Sequence, residues 1–395
     1  MKKRIRVYEI VFSFDIESGG GGISRFATTL SKSLDPERFE PILCGLWDRG
    51  SEEEKQRIQQ LNENGIYTFT CTHWDEQHPY RSFARAYLGL RTALKRLPAD
   101  ILNSHSEFSD MAVLLLKLAG KAPVLVRTLH NELRVVWRRR PLRRLLFTQI
   151  LDPLLFDAEI GVSRFIKENL DRRWLAKRLK RKARAINNAL DIHRFRGETV
   201  DMEAIRRELG IPEDAYVIGS VGRLCEQKGF DLLVDAAAEV VKATPEAWFL
   251  IVGDGDAAET LKQQAASLGI GRRVIFTGQR SDVEALLTAM DLFVCSSRWE
   301  GLSTVLMEAM AAGVPIVATD IPGNRELLRD GDNAWLIPVE NPRALAAAVL
   351  AARGNIELGR RYAHQAGLDV LDFGITQVAA QYGHLYQELM PKKGG

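Results

Sequence analysis

The chain reads as an α/β protein made of two doubly wound, parallel-sheet domains in succession. Three observations point there. Short apolar runs alternate with helix-period segments in both halves, the pattern of repeated strand, helix, strand units that builds parallel sheets. At 395 residues the chain exceeds what one hydrophobic core ordinarily organises. Charge is also divided: residues 1–196 carry 36 Lys and Arg against 23 Asp and Glu, a net +13, whereas residues 197–395 carry 18 against 28, a net −10. The two halves therefore face different partners, and a boundary lies near the middle.

The opening MKKRIRVYEIVFSF has the basic tip and apolar run of a signal peptide. Glu9 interrupts the run, Asp15 and Glu17 follow, and there is no small-residue cleavage site, so Ile5 to Phe14 is predicted as the first buried strand. No apolar run approaches the ~18 to 20 residues a membrane helix needs. Hydrophobic residues make up 46% of the chain, as in soluble globular proteins. Cys44, Cys71, Cys225 and Cys295 lie far apart with no C-x-x-C, which indicates neither a disulfide framework nor a zinc knuckle and fits a reducing cytoplasm.

Next comes Glu17-Ser18-Gly19-Gly20-Gly21-Gly22, followed by the helical pattern Ile23, Phe26, Ala27, Leu30, Leu34. Strand, glycine loop and helix are the parts of a phosphate or dinucleotide site, because glycines let the backbone approach a ligand. The G-x-G-x-x-G fingerprint fails, since Arg25 stands where its last glycine belongs, and a plain flexible turn is the competing reading. Pro41 to Leu46 and Ile66 to Thr70 read as strands around a polar helix, Ser51 to Asn62. Ala99 to His105 and Val124 to His130 are two more strands, each ending in a histidine near the carboxyl edge, where open parallel sheets bind ligands. A lone loop histidine is ordinarily a surface residue; two at equivalent strand ends point to a site.

Residues 134–184 are dominated by Arg and Lys, with Trp137, Leu142, Trp174 and Leu175 interleaved among Arg138 to Arg144 and Arg172 to Arg184. That composition suits a basic amphipathic surface on an anionic membrane. Nucleic acid and a merely solvated face are the alternatives, and no nucleic-acid-binding motif supports the former. Ala158 to Val162 is a further strand, and the linker is placed at 192–200.

The second half repeats the pattern. Tyr216 to Val221 is a strand, Gly222 to Gly229 a loop, and Phe230 opens a helix. A Walker A loop needs glycine at 227 and Ser or Thr at 229, and has neither; Arg223 and Lys228 still place two cations by a helix start, an arrangement suited to a diphosphate. Trp248 to Val252 and Val274 to Gly278 are strands, the latter followed by Gln279 and Arg280. Leu292 to Cys295 is a buried strand, Ser296 to Arg298 a turn, and a helix runs from Ser303 or Thr304 to Ala312, where Gly313 stops it before the strand Val314 to Ala318. Leu302, Ser303 and Thr304 present backbone N–H groups at the positive end of that helix, a natural phosphate site. Glu300 falls on the turn and Glu308 inside an apolar helix expected to be packed on both sides, where a carboxylate is costly without a partner. A solvated Glu300 and a Glu308 paired with a core cation are equally compatible with the pair alone. Phe373 to Met390 has helical period.

The whole string E-G-L-S-T-V-L-M-E-A-M-A-A-G-V-P-I-V-A-T-D, Glu300 to Asp320, closely resembles the E-x7-E signature of retaining, nucleotide-sugar-dependent glycosyltransferases of the GT-B fold, family 4. The resemblance implies two Rossmann-like domains facing a cleft: an acceptor-binding domain over 1–195, a donor-binding domain over 196–370, and a C-terminal helix, 371–395, returning to the first. It assigns His130 to the reacting region of the sugar, Glu300 to the donor sugar, Arg223 and Lys228 to the diphosphate, and Glu308 to the ribose. Gly21, Gly22, Gly278, Gln279, Arg280, Leu302, Ser303 and Thr304 join the donor site, and His105 lies on the acceptor side. It implies no cofactor and no essential metal, so Asp254 and Asp256 are read as a turn and not as a D-x-D metal motif. Ala189 departs from the glycine usual at that turn. The implied partners are a nucleotide sugar, a glycan or lipid-linked acceptor and an anionic membrane, without nucleic acid, in the cytoplasm or peripheral on the inner face of the cell membrane. A GT-B epimerase or phosphorylase, or a non-catalytic sugar-nucleotide-binding subunit, are the rival readings.

Overall fold

The structure is a computed structural model and describes residues 3–15, 21–120, 123–131, 145–195 and 201–391. It divides into two units, Met1–Ala189 with Ile375–Gly395, and Leu190–Gly374. Each holds one parallel sheet. In the first, β1 (Ile5–Val11), β2 (Phe39–Asp48), β3 (Thr68–His73), β4 (Ile101–Ser104), β5 (Val124–Leu129), β6 (Ala158–Gly161) and β7 (Arg184–Ala185) lie in the order 3-2-1-4-5-6-7. In the second, β8 (Tyr216–Val221), β9 (Ala247–Val252), β10 (Val274–Phe276), β11 (Leu292–Cys295), β12 (Ile316–Thr319) and β13 (Trp335–Ile337) lie in the order 10-9-8-11-12-13. The order reverses between β1 and β4 and between β8 and β11. Those are the switch points, where neighbouring loops part and leave a crevice at the carboxyl ends of the strands.

Both faces of each sheet are covered, which is why the strands read as apolar runs and not as alternations. In the first unit Val7, Ile101 and Val126 pack under helices Gly21–Ser33 and Ile375–Leu389, while Tyr8, Ile10, Leu102 and Leu125 pack on the other face. The C-terminal helix earns its place there by a stripe at helical spacing, Ile375, Val378, Ala379, Tyr382, Leu385 and Tyr386, all buried. In the second unit Phe230, Leu233, Val234 and Ala237 of helix Phe230–Ala243 meet Ile218, Phe249, Ile251 and Val294.

Local chemistry sets the element ends. Ser51 and Ser163 cap helices Glu52–Glu63 and Arg164–Asp171 by accepting from the amides of Glu54 and Ile166, and Ser106 and Ser109 form a reciprocal box at Glu107–Leu118. The first strand stops at Val11 and not at Phe14, because the amides of Phe14 and Asp15 turn to the buried Glu54 carboxylate, at 2.8 and 3.1 Å, instead of the neighbouring strand. Likewise β12 starts at Ile316, past Pro315, which has no N–H to give a ladder.

The basic region differs from expectation in part. Trp137, Leu142 and Arg138 to Arg144 lie outside the described residues. Within the second cluster Arg173 is buried and ion-paired with Glu159, so it belongs to the interior, whereas Trp174 is 63% exposed.

Candidate active site

The clearest constellation sits at the switch point of the second sheet, where the loops after β8 and β11 are knitted together. Gly229 has φ +62°, and a Cβ there would stand 2.2 Å from the Ser296 carbonyl oxygen, so glycine is what lets the two loops close. The Ser296 hydroxyl donates to the Lys228 carbonyl at 3.0 Å, and the Arg298 amide donates to the Gln227 carbonyl at 2.8 Å. This closeness delivers Lys228 to Glu300: Nζ donates to Oε1 at 2.5 Å, and the Ser297 hydroxyl donates to the same oxygen at 2.7 Å. Glu300 is buried, which excludes the solvated-acid reading. Burial by itself depresses the Lys228 ammonium, but the adjacent Glu300 charge outweighs it and holds the pKa above the usual lysine value.

Beside this pair begins helix Thr304–Ala311, with Ser303 as N-cap. The Ser303 hydroxyl is buried and finds no hydrogen-bond partner among the described residues, leaving the cap without its usual side-chain acceptor role. The open amides of the first turn run from Ser303 to Leu306, so Leu302 precedes the helical donors. Glu308 is not packed on both sides as expected. The helix buries Leu306, Met307, Ala309 and Met310 and leaves Thr304, Glu308 and Ala311 half-buried at i, i+4 and i+7, a single face carrying the carboxylate one turn above the open amides.

The remaining donor-side residues differ in readiness. Arg223 is exposed and makes no ion pair among the described residues, a cation available to a ligand. Gly278 has φ +68° and its carbonyl accepts from the Gly253 amide at 2.8 Å, fixing the turn that carries the exposed Gln279. Arg280, by contrast, is committed: its guanidinium forks onto both oxygens of Asp282 at 2.8 and 2.7 Å and reaches Glu208 at 2.8 Å. These contacts buttress the turn after the strand.

In the first unit Gly21 is buried and Gly22 exposed at the start of their helix; Glu17 to Gly20 lie outside the described residues. His105 and His130 are brought together: His105 Nδ1 and His130 Nε2 are 3.0 Å apart, and the edge of Phe26 closes on both rings. His130 Nδ1 faces Asn188 Oδ1 at 3.1 Å, and His105 Nε2 faces Glu9 Oε2 at 2.6 Å. Glu9, wholly buried, also accepts from Asn103 at 2.8 Å and from the Tyr386 hydroxyl at 2.7 Å. Burial, then the neighbouring His105, push the pKa of His130 well below the ordinary histidine value, so it is neutral. Sequence reasoning passed over Glu9 and Asn188. The signal for Glu9 was available, namely a carboxylate in the middle of a strand otherwise buried on both faces.

Comparison with known proteins identifies the family and the fold. A family model described as Glycosyltransferase Family 4 matches residues 20–194, and one described as Glycosyl transferases group 1 matches residues 201–366. The chain is 31% identical over 296 residues to phosphatidyl-myo-inositol mannosyltransferase of Mycobacterium tuberculosis, covering 73% of each. It is 33% identical over 202 residues to the lipopolysaccharide core biosynthesis glycosyltransferase LpsE of Rhizobium meliloti, a match spanning 48% of this chain and 56% of that one. Among solved structures, Anabaena HepE in complex with UDP and glucose superposes with a TM-score of 0.81 at 21% identity, covering 98% of this chain and 100% of the other. Sucrose-phosphate synthase of Thermosynechococcus elongatus gives 0.78 at 20% identity, covering 98% and 99%.

Proposed function

The chain belongs to the group 1, family 4 glycosyltransferases of GT-B fold, and on that premise we propose that it moves a sugar, with retention of anomeric configuration, from a nucleoside-diphosphate sugar to a glycan or lipid-linked acceptor. One observation carries the reading: a half-buried Lys228 paired with the buried Glu300 at a sheet switch point, beside a helix N-terminus whose Ser303 hydroxyl is buried without a partner among the described residues. A diphosphate answers both, since its oxygens accept from the ammonium, the hydroxyl and the first-turn amides together. Glu300 then exchanges its lysine contact for the donor sugar's hydroxyls, and Glu308, on the open helix face, suits the ribose.

Chemistry at such a site is charge stabilisation. As the bond to the sugar breaks, negative charge grows on the leaving diphosphate, and Lys228, Arg223 and the amides meet it with donors already in place. No metal or cofactor enters this scheme. His130 is assigned to the sugar's reacting region. The relatives are named for lipopolysaccharide and phosphatidylinositol glycosylation, which supports a lipid-linked acceptor presented at a membrane.

The test is a screen of UDP-, GDP- and CDP-sugars for donor hydrolysis and transfer, with the anomeric configuration of the product read by NMR. Release of nucleoside diphosphate with a retained anomer is expected. Inverted product, interconversion of the free donor without transfer, or binding without turnover would replace this reading by an inverting enzyme, an epimerase or a non-catalytic subunit respectively.

A further inference from the structure

His130 is embedded in a chain of buried polar groups whose hydrogen bonds can be counted. Glu9, Asn103 and Thr128 lie on one face of β1, β4 and β5, and His105 and His130 follow at the carboxyl edge. From the C-terminal helix, Tyr386 donates to Glu9, and the Tyr382 hydroxyl lies 3.2 Å from that of Thr128, which donates to Asn103 Oδ1 at 3.0 Å. Both Glu9 oxygens are thus acceptors. At the far end Asn188 presents its carbonyl oxygen, another acceptor, to His130 Nδ1.

A chain with an acceptor at each end fixes the protons between. His130 must place its hydrogen on Nδ1 to satisfy Asn188, and as a neutral ring it then has only a lone pair on Nε2. The 3.0 Å contact to His105 is a hydrogen bond only if His105 Nδ1 donates. His105 Nε2 also donates, to Glu9 at 2.6 Å, so that three donors, from Asn103, Tyr386 and His105, converge on one carboxylate. His105 therefore carries two N–H groups, and its positive charge is balanced by a buried carboxylate.

We propose that Glu9 and His105 are positioning residues for His130: the Glu9 carboxylate holds His105 doubly protonated, His105 donates to His130 Nε2, and His130 is locked as the Nδ1–H imidazole with both nitrogens committed inside the protein. With no nitrogen free, the His130 side chain neither gives a proton to a ligand nor takes one. What it offers is a fixed ring edge and main chain, with a buried cation one ring behind. The effect on turnover rests on the reading of His130 given above; the proton arrangement does not.

The experiment is long-range proton–nitrogen NMR on protein labelled with nitrogen-15 histidine, at pH 7.5, with the two rings assigned through H105N and H130N. One imidazole with both nitrogens protonated and one neutral Nδ1–H ring are expected. E9Q should abolish the doubly protonated signal and shift His130 to the Nε2–H form. Its kcat, measured on whichever of UDP-glucose, UDP-N-acetylglucosamine or GDP-mannose the enzyme turns over, should fall at least about tenfold with donor KM nearly unchanged, because the fixed orientation of the His130 ring and the cation behind it are lost together. H105N keeps an N–H where Nδ1 was and should preserve the His130 tautomer; H105Q places its N–H toward Glu9 and should lose it. A merely structural role would make these two variants fail alike. A neutral His105 accepting from His130 Nε2–H in the wild type, with the Asn188 amide turned over, overturns the proposal. If instead the arrangement is found but H130N retains full activity, the proton assignment stands and the role of His130 in the reaction fails.

Discussion

At the scale of single residues, the two acids of the E-x7-E string occupy different environments and should fail differently. Glu300 is buried and neutralises Lys228, so Glu300→Gln should lower kcat and raise donor KM, and should also lower thermal stability by leaving the half-buried ammonium unpaired. Glu308 sits on a half-open helix face, and Glu308→Gln should chiefly raise KM. Steady-state kinetics on the preferred donor decides it; near-normal values for both variants contradict the assignment. The two cations separate in the same way. Lys228→Ala and Arg223→Ala should each cost about 2–4 kcal/mol in kcat/KM, the scale of losing one preorganised donor. Only the lysine variant should also melt earlier, because Arg223 is exposed and makes no ion pair among the described residues. A chelator added to wild type should leave the rate unchanged.

At the scale of elements, a buried ionic cluster joins β5, β6 and the helices around them. The Arg127 guanidinium bonds Asp110 at 2.7 Å and Asp152 at 2.5 Å and lies 3.5 Å from Glu159, which also pairs with Arg173. Three carboxylates meet two guanidiniums, and the excess negative charge is relieved by retaining a proton. Burial, opposed by Arg127 and reinforced by Asp110 and Glu159, raises the Asp152 carboxyl to about 7. A folded-state pKa above the unfolded value near 3.9 means the unfolded chain gives up this proton first. Stability from Asp152 is therefore full below about pH 4 and is lost as pH rises through about 7. Melting temperature should fall between pH 6 and 8.5, by an amount on the order of 1–3 kcal/mol in stability. Asp152→Asn should flatten that slope; a slope unchanged in the variant assigns it elsewhere.

At the scale of the whole molecule, no helix among the described residues is long and apolar enough to cross a membrane, and we propose that one region instead docks on the surface of one. Leu145, Leu146, Ile150 and Leu154 are exposed along the segment 145–155, and Trp174 stands next to it, its amide donating to Gln149 at 3.2 Å. Exposed Lys177, Arg178, Lys180, Arg181 and Lys182 follow directly. Each such cation contributes roughly 1 kcal/mol near an anionic surface, and the apolar side chains add insertion. Sedimentation with anionic vesicles should show binding at low salt that weakens at high salt. Replacing Trp174 by alanine together with Lys177 and Arg178 by glutamine should reduce it at least about tenfold, since two charges alone amount to about 2 kcal/mol. Indifference to anionic vesicles at low salt, or equal binding to neutral ones, makes a soluble acceptor the better reading.

What the sequence determined by itself was the local and the periodic. Strands Tyr216–Val221 and Leu292–Cys295 and the helix start at Ser303 were legible to the residue, because burial on both faces writes apolar runs and capping writes short polar signals. The string Glu300 to Asp320 singled out Glu300 and Glu308, and the loop after Tyr216–Val221 singled out Arg223 and Lys228. Only the tertiary structure decided who meets whom. Lys228 and Glu300 are 72 positions apart and touch because the sheet order reverses between their strands. His105 and Glu9, 96 apart, meet because β1 and β4 are neighbours, and Tyr386 reaches the same carboxylate from 377 positions away. Arg173 read as a surface cation but is buried against Glu159, and Arg280 is held by Asp282 and Glu208. Residue type sets what a side chain can do; which partner it does it with depends on non-local strand order and helix packing, which no local pattern encodes.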